Sequence, residues 1–321
     1  MTEGARILLK ARPTPAQLRD RLALPRPDGL ELYLDPRDLA PDDWLPRLRA
    51  IMAAAPRAED GFAYVVEGPI RSLDGVPFDV TRRAAVDEET LARLTRFGGE
   101  LGATVAVIHL SAPADDPAVL APGCREAALD RALPMLERYA ALCREAGLSP
   151  TIENIPPIGR LRAGALSFSP LGVEPDDLAR CCEAVPGLGV TFDTSHAGLY
   201  IEALGADPAA VEPALRPVVE VYASRARART LDDYVMVIEP WLINVHVSNA
   251  AGLLGEGLPY GAGRFALDAL MPRLAARARS LVTETLETDQ DRALHMRDAQ
   301  ARIAAALGRV GHGSRSIGAG E

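Results

Sequence analysis

Cysteine is scarce in this chain and badly spaced for covalent or zinc cross-linking. Only four occur among 321 residues, Cys124, Cys143, Cys181 and Cys182, and none forms a Cys-x-x-Cys pair. That spacing excludes a disulfide framework and a zinc finger. Cys181 and Cys182 fall in a predicted helix and read as packing groups. Long apolar runs are missing too, and nothing approaches the roughly 20 residues that span a bilayer. The opening stretch MTEGARILLKARPTP holds three consecutive apolar residues, Ile7 to Leu9, which is too few for a signal peptide. The expectation is a cytoplasmic protein without a membrane partner. Basic charge is outnumbered: Asp+Glu total 44 against 35 Lys+Arg, a net charge of -9. Nucleic-acid binders usually present a basic face, so a nucleic-acid partner is not expected. The alternating basic run from Arg225 to Arg229 reads as a solvated helix face. Finally, ILLKARPTP carries no glycine, so the first strand lacks the G-x-G-x-x-G turn of a dinucleotide-binding sheet.

What is present is a repeat. Apolar residues make up 48% and charged residues 25%, a composition that can bury a core. Short apolar strands alternate with amphipathic helices. The candidate strands are Arg6-Ala11, Gly29-Leu34, Gly61-Glu67, Thr104-Leu110, Pro150-Ile155, Gly189-Asp193, Leu242-Val247 and Leu281-Thr285. Helices are expected over Arg125-Ala146, with Pro134 inside it, over Asp176-Ala184, and near Ala209-Arg227. Eight strands with helical crossovers imply parallel pairing. The count favours an α/β fold of the closed (β/α)8 TIM-barrel type, one domain over 1–310. The Gly/Ser-rich stretch Gly311-Glu321 reads as a disordered tail.

In such barrels the chemistry sits where the strands end. Strand three ends in Glu67, strand four in His109, strand five in Glu153 and strand six in Asp193. His196 follows three residues on, strand seven ends in His246, and strand eight in Glu284. Any one of these groups alone would be read as a loop salt bridge. Glu153, Asp193, His246 and Glu284 instead stand on consecutive strands, 40, 53 and 38 residues apart. Three carboxylates and an imidazole would then meet at one mouth. The carboxylates would repel one another unless a divalent cation joined them. An O3N donor set suits Mn²⁺, Mg²⁺ or Co²⁺, and Zn²⁺ also fits.

The segments TIENIPP, FDTSHAGLY, VHVSNAAG with LPYGAGRFAL, and VTETLE resemble strands five to eight of the xylose isomerase-like TIM-barrel superfamily. That group holds sugar-phosphate isomerases and epimerases, inosose dehydratases, hydroxypyruvate isomerases and AP endonucleases. The likeness is specific over about 150–287 and implies that Glu153, Asp193, His246 and Glu284 bind one divalent metal. It gives His196 a contact with substrate or with a second metal. The three-zinc AP endonucleases carry a His where Glu67 stands and an Asp-x-His that this chain lacks, so that resemblance ends there. Many of the isomerases carry an acid where Asn249 stands.

The expected chemistry is proton transfer beside a carbonyl on a sugar, polyol or keto acid. Glu153 and Glu284 would act as an acid/base pair around a metal-bound cis-enediolate. His196, His109 and Glu67 would touch substrate. The alternatives are a dehydratase or lyase on a keto-polyol, a metal-dependent hydrolase of AP endonuclease type, and a non-catalytic ligand-binding barrel; homo-oligomerisation is open. Gly255-Glu256-Gly257 reads either as part of a lid or as a glycine-rich turn. Strand alternation adds one expectation. Thr151, Thr191 and Asn244 stand two residues before three of the ligands and so point inward. They are expected to hydrogen-bond the ligands, or ordered water, directly below the metal.

Overall fold

The computed structural model describes residues 4–121, 123–160, 165–225 and 228–309. The tail expected over Gly311-Glu321 lies outside the described residues. Eight parallel strands close into a barrel. We number them β1 (Arg6–Ala11), β2 (Gly29–Tyr33), β3 (Ala63–Glu67), β4 (Val105–His109), β5 (Ser149–Glu153), β6 (Gly189–Asp193), β7 (Leu242–Val247) and β8 (Ser280–Thr283). Each pairs with its neighbours in sequence, and β8 returns to β1 through Leu8 opposite Val282. Every expected strand is present, with ends shifted by a residue or two. The fold is a single (β/α)8 TIM barrel.

The strands form because they are short, apolar and β-branched, and they are buried on both faces. The barrel floor is a closed cluster of Leu8, Val65, Val105, Val107 and Val282. A larger apolar layer packs between the barrel and its helices. The helix expected over Arg125-Ala146 runs over Cys124–Glu145 with Pro134 inside it, and the next over Pro175–Ala184. Among the described residues, no helix is long and apolar enough to cross a membrane.

The long connection between β6 and β7 differs from expectation. One helix was expected near Ala209-Arg227, and among the described residues the structure has three α-helices: Thr194–Gly205, Arg216–Arg225 and Leu231–Ile238. Caps mark the starts of the first and third. Asp193 accepts from the His196 N–H at 2.7 Å, and Thr230 and Asp233 form a capping box. After β7, Asn249–Ala251 pairs antiparallel with Gly255–Leu258. Gly257 has φ +66°, and a Cβ there would stand 2.7 Å from the Leu286 side chain. The segment holding Glu256 is therefore one arm of a hairpin folded over the mouth.

Candidate metal centre and active site

Strand closure brings one ionisable group from every strand to the same end of the barrel. They are Lys10, Glu31, Glu67, His109, Glu153, Asp193 and His246, with Glu284 one residue beyond β8. Glu31, Glu67, Glu153, Asp193 and His246 are all buried. Among the described residues, three overlapping groups offer ligand atoms within 4.8 Å of one another. Glu153, Asp193, His246 and Glu284 form one, Glu31, Glu67, His246 and Glu284 another, and Glu67, His109 and Glu153 the third.

His246 has two different sides. Its Nε2 lies 2.9 Å from Glu31, which also accepts from the Asn244 amide at 3.1 Å. Its Nδ1 faces Glu153 Oε1 at 3.1 Å and Glu284 Oε2 at 2.6 Å. Nε2 is thus held from behind by a buried carboxylate while Nδ1 faces the mouth, the arrangement that orients a metal-binding imidazole. Burial opposes charge on His246, but Glu153, Glu31 and Glu284 outweigh it and hold its pKa well above the usual value. Glu153 Oε2 is buried and accepts no hydrogen bond. A cation between Glu153, Asp193, Glu284 and Nδ1 would satisfy that oxygen and offset the repulsion, so the donors present fit a divalent metal.

Asp193 divides its duties. One oxygen caps the helix at Thr194, and its own N–H donates to Asn154 Oδ1 at 2.7 Å. Burial, then repulsion from Glu284 and Glu153, pushes its carboxyl up to about 7. His196 is fixed by the Asn154 carbonyl at 2.7 Å on Nδ1 and lies 3.2 Å from Glu256 on Nε2. Burial disfavours its charge, but Asp193 and Glu256 hold its pKa well above imidazole's usual value. His109 goes the other way: burial lowers it. Its Nε2 stands 3.6 Å from Glu153. His109, His196 and Glu256 border a cavity of about 350 Å³ whose remaining walls include Phe78, Ile155 and Phe168.

Residues 28–308 match the profile of the xylose isomerase-like TIM barrel. The chain belongs to that family. No curated protein matches it. Several solved xylose isomerase-like barrels share its fold over almost their whole length. A D-tagatose 3-epimerase-like protein is 16% identical with TM-score 0.61, covering 94% of this chain and 98% of that one. An Escherichia coli 3-keto-D-glucoside 4-epimerase is 14% identical with TM-score 0.62, covering 94% and 99%. A Thermus thermophilus protein whose crystals were soaked with ZnCl2 is 21% identical with TM-score 0.59, covering 96% and 99%.

Within this xylose isomerase-like barrel, three mouth residues escaped the sequence reading: Lys10, Glu31 and Glu256. A signal for the first two existed, since each interrupts an apolar strand, ILLKA and LELYL. Lys10 carries a stronger one. It is the sole lysine of the chain; the other 34 of the 35 basic residues are arginine. Its Nζ is in direct contact with Glu67 and Glu284 and lies 3.7 Å from Glu31. Glu256 was noted only as part of a glycine-rich segment, and only the hairpin brings it to His196.

In the polar layer below the expected ligands, the protein partners of Thr151, Thr191 and Asn244 are as follows. Thr151 and Thr191 bond each other at 2.7 Å, and Thr151 bonds the Ala106 carbonyl at 2.9 Å. Neither hydroxyl hydrogen-bonds an expected ligand side chain. Thr191 stands opposite Glu153 in the β5–β6 register, but its hydroxyl is taken by Thr151. Asn244 reaches the site at one remove, through Glu31. Asn249, where many relatives carry an acid, clamps the loop by donating to the Tyr260 and Phe265 carbonyls at 2.8 and 2.9 Å.

Proposed function

We propose that this protein is a divalent-metal-dependent sugar or polyol isomerase/epimerase, with its ion held by Glu153, Asp193, His246 and Glu284. The observation that carries the reading is His246. Its outer nitrogen faces two carboxylates at the mouth while Glu31 fixes its inner one. A bound divalent cation supplies polarisation of a carbonyl and its neighbouring hydroxyl, which acidifies the C–H between them. Glu153 and Glu284 stand on β5 and just beyond β8, with β6 and β7 between them. One carboxylate takes the proton on one side of the substrate. The other returns a proton to the opposite face, or to the neighbouring carbon, after an enediolate has formed. His196 and His109 border the cavity and hold substrate hydroxyls, and Glu67 lies behind them, 3.9 Å from His109. Mn²⁺, Mg²⁺ or Co²⁺ suits the O3N set, and Zn²⁺ also fits. The sugar-epimerase names among the solved neighbours support the substrate class.

The test is a metal-reconstituted screen of free and phosphorylated ketoses, inososes and hydroxy-ketones in D₂O. Solvent deuterium should enter one substrate carbon, at a position that separates epimerisation from aldose–ketose isomerisation. Phosphodiester hydrolysis without any such exchange would replace this reading by the hydrolytic one.

A further inference from the structure

The mouth holds more negative charge than one ion can balance. Glu31, Glu67, Glu153, Asp193 and Glu284 bring five carboxylates together, and four of them are buried. One divalent ion at the proposed site meets Glu153, Asp193 and Glu284 and leaves Glu31 and Glu67 outside its ligand set. Yet Glu31, Glu67, His246 and Glu284 form a second group of ligand atoms with the spacing of a metal site. Glu31 Oε1 and Glu67 Oε2 are buried in it and accept no aligned hydrogen bond, although His246 Nε2 stands 2.9 Å from Glu31 Oε1. The one amine that reaches both carboxylates is Lys10, whose Nζ contacts Glu67 and Glu284 directly and lies 3.7 Å from Glu31 Oε1.

The identity of that residue is informative. Arginine serves at 34 of the 35 basic positions, so a lysine here is a departure from the chain's own habit. The chemistry explains it. An ammonium is a compact point charge that can sit among several carboxylates, as a metal ion does. A guanidinium is a flat fork suited to pairing with one planar partner.

We infer that Lys10 is a built-in second cation: its ammonium occupies the position between Glu31, Glu67 and Glu284 and thereby restricts the centre to a single metal ion. Lys10 is a positioning residue on this account. It keeps Glu31 behind His246 and holds Glu67 out of the ligand set. The inference rests on the single-ion reading given above.

Counting ions tests it. The full-length protein is stripped with chelator, reloaded with excess Mn²⁺ or Zn²⁺, freed of loose metal by gel filtration and measured by mass spectrometry. Wild type should retain one ion per chain. Lys10→Met, of similar length but uncharged, should retain two, and its Mn²⁺ form should give the exchange-coupled EPR spectrum of a close pair. Lys10→Met/Glu67→Gln should return to one. Lys10→Ala, which leaves more room, is run in parallel so that a folding defect in one variant does not decide the result. Two tightly held ions in wild type, or one in both folded Lys10 variants, would overturn the inference and leave the single-site reading standing or revised. Wild type that folds and retains no ion would instead overturn the proposed metal centre itself.

Discussion

The same strands build two opposite environments along one barrel. At the floor, Leu8, Val65, Val105, Val107 and Val282 form a dry apolar plug. Two residues further along, β1 carries Lys10 after Leu8, β3 carries Glu67 after Val65 and β4 carries His109 after Val107. The period of a strand sends both members of each pair inward. Side-chain chemistry alone makes one layer a core and the next a site. The plug also strengthens the site, because charges above a buried apolar floor interact through a lowered effective dielectric. That arrangement is costly to Glu67. Burial and the neighbouring Glu284, Glu31 and Glu153 push its carboxyl well above the usual range, against the pull of Lys10.

If the division of labour is right, the two layers fail differently. Glu153→Gln at the mouth removes the carboxylate proposed to move the proton. Turnover should fall about 10²- to 10⁴-fold, the usual contribution of a general acid or base. The fold, checked by circular dichroism, should be unchanged, and unchanged kcat would remove Glu153 from the acid/base pair. Leu8→Ala at the floor should do the reverse. A cavity there should cost about 2–5 kcal/mol of stability in denaturant unfolding, with metal affinity nearly intact. A variant of normal stability would show that the plug is not tightly packed.

The boundary between the layers is Glu31. Glu31→Gln keeps the shape behind His246 but removes the charge, and should weaken metal binding about 10- to 100-fold by calorimetry. Acid should act at the mouth as well. Asp193 is pushed up to about 7 by burial and by Glu284 and Glu153. A cation must displace that proton, so affinity should fall as pH drops below about 7, approaching tenfold per unit for one proton. Because this folded-state pKa is raised, deprotonating Asp193 costs the metal-free protein stability as pH rises from the ordinary carboxylate range to about 7. Affinity independent of pH between 5 and 7 would contradict both statements. The smallest effect belongs to Thr191→Val. Thr191 bonds Thr151 and no ligand group, so metal affinity should move by less than about threefold, far below the loss expected of a group that orients a ligand directly.

The barrel was legible because its signal is repeated. Eight apolar segments separated by amphipathic ones leave few alternatives, and the strand-end positions of Glu67, His109, Glu153, Asp193 and His246 follow from counting. The connection from β6 to β7 was less legible, since its helices are short and set by the caps Asp193 and Thr230, which a smooth periodicity does not reveal. Glu31 and Lys10 were hidden for another reason. A charged residue in a strand can point outward to solvent or inward to a site, and only strand register decides which.

By itself the sequence determined the fold class and a set of acids and imidazoles at strand ends, because local periodicity and spacing are written in order along the chain. The tertiary structure decided the rest. Closure of the barrel set Glu31 of β2 against His246 of β7, 215 residues away, and placed Lys10 of β1 beside Glu284, 274 residues away. Side-chain packing inside the closed barrel joined Thr151 to Thr191, although Thr191 lies opposite Glu153. Which carboxylates share a cation depends on distances around a closed ring, and no stretch of sequence contains them.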